Sequence, residues 1–153
     1  MTFTLIAILI TILLILLNGI FVAVEFAVVT SKKSKMQALA ETGDRSARMA
    51  LDLMKNLPLS ISGAQLGITV TSLGLGLVAE PAFAKVIEHF ITEPLGMPKA
   101  LSHTIAFGFA LFIVVFMHMV IGEMVPKNLA LTTPETVLCK VARPHRSFVF
   151  LFR

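Results

Sequence analysis

The sequence predicts an all-α integral membrane domain with three transmembrane helices, one of which could be broken, together with cytoplasmic amphipathic and juxtamembrane helices. Of its 153 residues, 56% are hydrophobic and 14% are charged, and the mean hydropathy is +0.89. A soluble domain usually carries about 25% charged residues. The apolar residues are concentrated in three runs, each long enough to cross a bilayer. The composition therefore excludes an ordinary soluble domain.

The three runs differ in strength. The first, Thr2–Val29, lacks the basic start and small-residue cleavage site of a signal peptide, so we expect it to remain in the mature protein. The second, Leu57–Ala79, is the weakest, because it contains serine, threonine, glutamine and four glycines. The third, Leu101–Val125, is strongly apolar. Three spans place the two chain ends on opposite sides of the membrane.

Basic residues predict the orientation of these spans. Residues 31–58 contain six Lys and Arg, whereas residues 80–100 contain two. Because cytoplasmic loops are enriched in Lys and Arg, we expect a multi-pass protein of the cell membrane with its N-terminus outside and its C-terminus in the cytoplasm. The net charge of +4 then faces anionic membrane lipid and requires no nucleic-acid partner.

The two connections between the runs have different characters. Residues 31–56 predict two short amphipathic helices on the cytoplasmic surface, where Gly43 ends the first helix and Asp44 caps the second. The external loop, residues 80–100, contains one short amphipathic piece, Ala82–Ile91. We expect the polar faces of these pieces to be solvated and attracted to lipid headgroups.

A juxtamembrane helix is predicted beyond the third run. Thr133 is placed to cap it, and Pro134 occupies the first turn, where proline is favoured. Pro144 predicts the end of this helix, because proline removes a backbone hydrogen bond.

The first run is interrupted by Asn18 and Glu25. They are seven residues apart, so a helix places them on one face, about 10 Å from each other. Asn18 can form an interhelical hydrogen bond or give its amide oxygen to a cation. Glu25 lies nearer the cytoplasmic end, where either an ion pair or direct ligation of a cation explains a carboxylate.

The second run combines a polar face with many glycines. The residues of the polar face recur at intervals of three or four, and they are Ser62, Gln65, Thr69, Ser72 and Gly76. Gly63 and Gly67 form a small-xxx-small pair that lets another helix approach closely. Gly74, Gly76 and Pro81 predict a break near the external end, as in transporter helices that line a cavity. Close helix packing with hydroxyl hydrogen bonds is the other explanation.

The third run ends in HMVIGEMVPK, residues 118–127. Glu123 is a carboxylate in an apolar segment, and such groups are usually functional. Pro126 has no N–H, so the helix loses its bond to the Gly122 carbonyl and must kink or unwind. Gly122 and Glu123 then offer one neutral and one anionic oxygen to a hard cation. Alternatively, Glu123 pairs with Lys127 and Pro126 simply ends the helix.

Other chemistries find little support in the sequence. Cys139 is the only cysteine, so no intrachain disulfide can form, and there is no Cys/His cluster, Gly-rich phosphate loop or nucleophile motif. We expect neighbouring groups to satisfy His103 and His118, with proton sensing by His118 as the alternative. The sequence therefore does not predict an enzyme.

Three segments resemble, in order and spacing, the transmembrane (DUF21) domain of the CorC/CNNM family. They are LLNGIFVAVEFAVV, LSISGAQLGITVTSLGLGLVAEP and VVFMHMVIGEMVPKNLALTTPE. The motif GE-x-x-PK-x-LA after a hydrophobic span is fairly specific, and the resemblance covers nearly all of residues 1–153. It implies a homodimer associated with Mg²⁺ efflux coupled to Na⁺. It also implies that a cytosolic CBS pair, which binds ATP, follows this domain.

The resemblance further implies a set of Mg²⁺ ligands. They are Asn18, Thr69, Gly122 and Glu123. Asn18 replaces a serine that many members carry in the first span, and Thr69 replaces an asparagine of the second. If the Thr69 assignment is off by a turn, Ser72 or Gln65 takes its place. Gln65, Ser72 and Glu25 are also candidates for the ion pathway.

Two other functions fit the same residues. The chain could be a membrane anchor and dimerisation domain for a cytosolic regulatory module, with polar spans that only assemble the dimer. It could also form a channel. An anchor should tolerate Glu123→Gln, which removes the charge and keeps a hydrogen-bonding group, whereas a transporter that moves Mg²⁺ by alternating access should not.

Overall fold

The computed structural model describes residues 2–95 and 98–151, which are helical almost throughout. The helices are α1 Thr2–Thr30, α2 Lys33–Glu41, α3 Arg45–Lys55, α4 Leu57–Leu95, α5 Lys99–Met117, a π-helical segment His118–Met124, α6 Val125–Thr132 and α7 Pro134–Leu151. No strand occurs in the described ranges. The predicted all-α class is confirmed.

Three parts of the chain are long and apolar enough to cross a membrane. They are Thr4–Thr30, Leu57–Glu88 and Lys99–Thr132. The prediction of three spans is confirmed, and the second and third are longer than the sequence indicated. The third consists of α5, the π-segment and α6 in one continuous helical path.

The break predicted in the second span is wrong. Helix α4 runs through Gly74, Gly76 and Pro81 without interruption, and it includes the piece Ala82–Ile91 that was predicted to lie in the external loop. A glycine costs a helix only about 1 kcal/mol, whereas an unpaired backbone group in hydrocarbon costs several. The side chain of Leu14 also packs beside Gly74. Continuous helix is therefore the cheaper conformation here.

The break predicted at Pro126 takes a milder form. The seven residues before Val125 are π-helical, and Pro126 lies in the first turn of α6, where its missing N–H is tolerated. Residues Met117, Met124 and Val125, which flank the segment boundaries, all keep right-handed helical dihedrals. The chain therefore changes its hydrogen-bonding pattern without unwinding. π-helical segments of this kind are rare and often lie at functional sites.

Helix α1 is the centre of the bundle and packs against α4, α6 and α7. One apolar cluster near its C-terminal end joins α1, α2, α3, α6 and α7 around Met36 and Leu138, which are fully buried. A second, smaller cluster joins Ile15 of α1 to Leu75 and Val114 of α4 and α5. Polar residues of α1 and α4 lie between these two clusters.

The predicted connection of α2 to α3 is confirmed in detail. Gly43 ends the first helix with a φ of 94°, a conformation that a side chain rarely adopts. Asp44 caps the second helix, because its carboxylate accepts hydrogen bonds from the backbone N–H groups of Ser46 and Ala47. A Gly–Asp pair is therefore sufficient to separate the two helices.

Helix α7 begins at Pro134 as predicted, but Pro144 does not end it. Pro144 lies on the exposed face, as does Lys140, whose carbonyl loses its helical partner. The opposite face packs Leu138, Ala142 and other buried side chains against the bundle. Packing on one face therefore holds the helix through its proline. Thr133 precedes α7, and its hydroxyl donates to the Leu129 carbonyl instead of capping the helix.

Gly63 and Gly67 allow close packing, but within the chain. A Cβ on Gly67 would lie 2.5 Å from the ring of Phe21 in α1, and a Cβ on Gly63 would lie 2.5 Å from Val149 in α7. The small-xxx-small prediction is thus confirmed for helix approach. Because both glycines already face helices of the same chain, they do not indicate a dimer interface.

Candidate ion site

Asn18 is at the centre of a buried polar cluster where α1, α4 and the π-segment meet. Its side chain is completely buried. The amide Nδ2 donates a hydrogen bond of 3.0 Å to the carbonyl oxygen of Gly122. The amide oxygen accepts one of 2.8 Å from the Thr71 hydroxyl and a longer one of 3.4 Å from the Ser72 hydroxyl. One side chain thus joins all three spans.

Glycine residues on both sides bring the backbones together at this point. A Cβ on Gly19 of α1 would lie 3.6 Å from the Ile121 carbonyl oxygen and 3.8 Å from that of Gly122. A Cβ on Gly122 would lie only 3.0 Å from the His118 ring. The π-segment therefore approaches α1 closely enough for Asn18 to reach its backbone.

Glu123 lies beside this cluster and is half-exposed. Its Oε1 is 3.6 Å from Nε2 of His118, and the same ring nitrogen is 3.4 Å from the Ser72 hydroxyl. Lys127, the alternative partner, places its ammonium 4.7 Å from the centre of the Phe26 ring. The expected contacts of His118 with neighbours are therefore confirmed, and Glu123 faces the polar cluster through that histidine.

The remaining predicted residues form a second polar group. Gln65 donates a hydrogen bond of 3.3 Å to the carboxylate of Glu25. Thr69 is exposed, and its hydroxyl donates to the Gln65 carbonyl one turn earlier on the same helix. The Thr69 hydroxyl thus bonds within α4, whereas that of Ser72, its predicted substitute, contacts Asn18.

The sequence analysis missed Thr71. This residue is buried and forms the shortest hydrogen bond to Asn18 that links two helices. Its hydroxyl also lies within hydrogen-bond distance of the Gly67 carbonyl one turn earlier. Gly67 faces α1 through Phe21, and a residue four positions later shares its helix face. That spacing was the available signal for Thr71.

The chemistry of the cluster is that of oxygen donors. Within the described residues, no three His, Cys, Asp or Glu side chains are grouped so that they could hold a metal ion. A cation here would instead be bound by Glu123 as the single carboxylate, with carbonyl, amide and hydroxyl oxygens completing the ligands. Hard cations such as Mg²⁺ prefer such ligands and keep several waters.

Three membrane-length helices around a buried polar cluster at Asn18 and Thr71 define a polytopic α-helical membrane domain. Residues 9–153 match the model of the Cyclin M transmembrane N-terminal domain. The chain therefore belongs to the CNNM family, as the resemblance of its three segments indicated.

Relatives in three bacterial groups are similar over most of the chain. The UPF0053 protein YhdT of Bacillus subtilis is 40% identical over 138 residues, which cover 90% of the chain. The uncharacterized protein Rv1841c of Mycobacterium tuberculosis is 41% identical over 147 residues, or 96% of the chain. The UPF0053 protein sll0260 of Synechocystis is 36% identical over 132 residues, or 84%. The matches span 30%, 41% and 29% of these proteins.

Proposed function

We propose that this domain exports Mg²⁺ across the cell membrane, coupled to Na⁺, by alternating access around the cluster at Asn18. The observation that carries the proposal is the hydrogen bond of Asn18 to the Gly122 carbonyl, beside Glu123. A carboxylate, a main-chain carbonyl and a side-chain amide from two different spans thereby come together. Membership of the CNNM family supports a transport function and not an enzymatic one.

Binding of Mg²⁺ requires a small rearrangement of this cluster. The Asn18 amide now turns its NH₂ group toward the Gly122 carbonyl. Rotation of the amide would face its oxygen toward Gly122 and leave the Thr71 hydroxyl bonded to carbonyls of its own helix. The ligands we propose are Asn18, Gly122 and Glu123, with a hydroxyl of α4. Ser72 is better placed for that role than Thr69, because it already contacts Asn18.

Transport requires the cluster to open alternately to the two sides. Asn18 connects α1 to the π-segment by a single side-chain hydrogen bond, and to α4 by the two hydroxyls. Rocking of α1 and α4 against the third span would break the first contact and keep the others. Gln65 and Glu25 then line a path between the site and the basic, cytoplasmic side.

We also propose that the domain works as a homodimer. Gln65 and Thr69 are polar yet exposed on a membrane-spanning helix, and such groups normally face protein or a water-filled cavity. A second copy would cover them. Light scattering in mild detergent should give twice the mass of the chain, and a monomer with intact ion binding would count against it.

Glu123→Gln tests the site, with Glu88→Gln as the matched control. Both residues are carboxylates of membrane-spanning helices that are not fully buried. Removing the only formal negative charge of the site should weaken Mg²⁺ binding at least tenfold, because charge attraction is strong where water is scarce. Titration calorimetry on the purified domain would measure affinity for Mg²⁺, Ca²⁺, Mn²⁺ and Na⁺. Wild-type binding in Glu123→Gln would refute the site and favour a membrane anchor.

Flux in proteoliposomes tests the coupling. Mg²⁺ movement that requires a Na⁺ gradient, and stops when choline replaces Na⁺, would support coupled export. Movement at the same rate without Na⁺ would indicate a channel.

The orientation can be tested by labelling single cysteines in a Cys139→Ala background. Ala100 and Ser34 are both exposed; Ala100 lies at the start of α5, and Ser34 lies in α2. A membrane-impermeant maleimide should label Ala100→Cys in intact cells and Ser34→Cys only after permeabilisation. The reverse pattern would overturn the proposed topology.

A further inference from the structure

An apolar groove runs along the outer surface of the bundle, between α1, the third span and α7. Its volume is about 420 Å³. The walls are formed by small or aliphatic residues such as Gly19, Ala23, Pro126 and Leu129. The polar side chains of the Asn18 cluster do not line this groove.

The wall of the groove that α7 contributes is polar and positively charged. Lys140 and Thr136 of α7 both line it, and both side chains are exposed. They are four residues apart, so a helix places them on the same face about 6 Å from each other. In the described part of the chain, Lys140 has no carboxylate partner within 4.0 Å. An ammonium group and a hydroxyl donor thus lie together on the α7 wall of the groove.

This distribution of charge fits one kind of occupant. The groove is apolar along α1 and α6 and carries a cationic and a hydrogen-bond donor group on α7, so it matches an amphiphile with an anionic head and a hydrocarbon tail. The groove lies beside Thr4–Thr30 and Lys99–Thr132, which are membrane-spanning by length and composition, so lipid tails surround it. The α7 wall of the groove belongs to the Lys- and Arg-rich side of the domain, which we expect to face the cytoplasm. Anionic lipids on that side of a membrane attract Lys and Arg.

We propose that the groove binds one anionic phospholipid, with an acyl chain along α1 and α6 and the phosphate held by Lys140 and Thr136. The lipid would contact Pro126 and Gly19, which pack directly behind the Gly122 carbonyl. Its occupancy would therefore hold the π-segment against α1. The test of this binding does not depend on ion transport, because it measures lipid affinity alone.

Native mass spectrometry of the purified domain tests the proposal with two lipids that share the same acyl chains. Palmitoyl-oleoyl phosphatidylglycerol should bind at least fivefold more tightly than the corresponding phosphatidylcholine. Lys140→Gln should remove most of this preference, since one lysine near anionic lipid contributes about 1 kcal/mol, or about fivefold. Arg143→Gln is the matched control, because Arg143 is exposed on the same helix but lines a different surface.

A second variant tests whether the lipid acyl chain occupies the apolar part of the groove. Leu129 is 53% exposed, so Leu129→Trp should fill the groove without disturbing the fold, and both lipids should then bind more weakly. Equal loss of preference in Lys140→Gln and Arg143→Gln would overturn the proposal and indicate general surface attraction. A Leu129→Trp chain that binds both lipids as wild type but no longer dimerises would also overturn it, since a second copy would then occupy the groove.

Discussion

Two membrane-spanning parts of this chain carry the same helix-breaking residue types and respond differently. Helix α4 contains Gly74, Gly76 and Pro81 and remains a continuous α-helix. The third span contains Gly122 and Pro126 and changes to a π-helix just before the proline. Glycine and proline alone therefore do not decide whether a membrane helix is interrupted.

The difference lies in what stands opposite each segment. In α4, Gly74 faces the apolar side chain of Leu14, and Gly76 faces open space. Neither offers a hydrogen bond to a displaced carbonyl. The Gly122 carbonyl instead meets the Asn18 amide of α1 at 3.0 Å. A backbone carbonyl in hydrocarbon can leave the α-helical pattern only where another group donates a hydrogen bond to it. Helix α1 supplies such a donor, the Asn18 amide, to the third span.

The largest effect is expected from glycines of α4 that differ only in their surroundings. Gly67→Leu should lower the free energy of unfolding by about 3 kcal/mol or more, because even its Cβ would lie 2.5 Å from the Phe21 ring. Gly76→Leu should instead raise it by up to about 1 kcal/mol, since no atom of the described residues lies within 4 Å of an added Cβ and a glycine weakens a helix by about that amount. Thermal unfolding in detergent, followed by circular dichroism, would compare them. Equal destabilisation would contradict the role assigned to surroundings.

Asn18→Leu removes the group that distinguishes the third span. Loss of the hydrogen bond to Gly122 should destabilise the domain by about 1–3 kcal/mol, because a buried carbonyl loses a partner. Asn128→Leu is the control, since Asn128 is exposed on α6. Thermal unfolding in detergent, followed by circular dichroism, would compare the two variants. A neutral Asn18→Leu would show that the π-segment is satisfied by its own backbone.

The two prolines give a smaller and more specific effect. Pro81→Ala restores an N–H within a regular helix and should stabilise the domain by about 1 kcal/mol without changing Mg²⁺ affinity. Pro126→Ala should allow an ordinary α-helix, withdraw the Gly122 carbonyl from Asn18 and weaken Mg²⁺ binding severalfold. Titration calorimetry would measure the Mg²⁺ affinity of both variants. If Pro126→Ala binds Mg²⁺ as wild type, the proline does not make that carbonyl available.

The smallest effect concerns His145 of α7, a polar side chain that is buried without a satisfying partner. Among the residues that the structure describes, neither ring nitrogen has a hydrogen-bond partner within 3.5 Å, although the Ser60 backbone lies close to the ring. Burial lowers its pKa from the usual 6.5, and the backbone of Ser60 only partly offsets this. The folded state therefore binds a proton less readily than the unfolded state, so stability should fall as the pH drops below about 6.5.

His145→Phe should remove part of this pH dependence, and His103→Gln, at an exposed position, should not. The measurement is the unfolding midpoint between pH 5 and 8 for each variant. An unchanged slope in His145→Phe would show that other groups control the acid sensitivity.

Much of the fold followed from local pattern. The apolar runs gave three spans, and Gly43 with Asp44 gave the boundary between α2 and α3, because each signal acts through neighbouring residues. The errors at Pro81 and Pro144 have one cause. Both prolines are exposed, and packing of other residues on the same helix outweighs one lost hydrogen bond.

The candidate site was less accessible to sequence reasoning. Asn18, Gly122 and Glu123 were identified from their types and spacing, and the structure brings the first two into contact. On α4, Ser72 was named only as a substitute for Thr69, and Thr71 was missed, because these three residues differ in their rotation around the helix axis. That rotation is set by Gly67 against Phe21, a contact between residues distant in the chain.

The unbroken course of α4 has a mechanical consequence. Its 39 residues form a rod about 58 Å long, nearly twice the roughly 30 Å of a hydrocarbon core. About 25 Å of helix separates Thr71, which contacts Asn18, from Glu88 near the far end of the span. A tilt of about 10° around Thr71 would displace that end by roughly 4 Å. In the proposed alternating access, an uninterrupted α4 would therefore convert a small tilt at the buried cluster into a larger displacement at its far end.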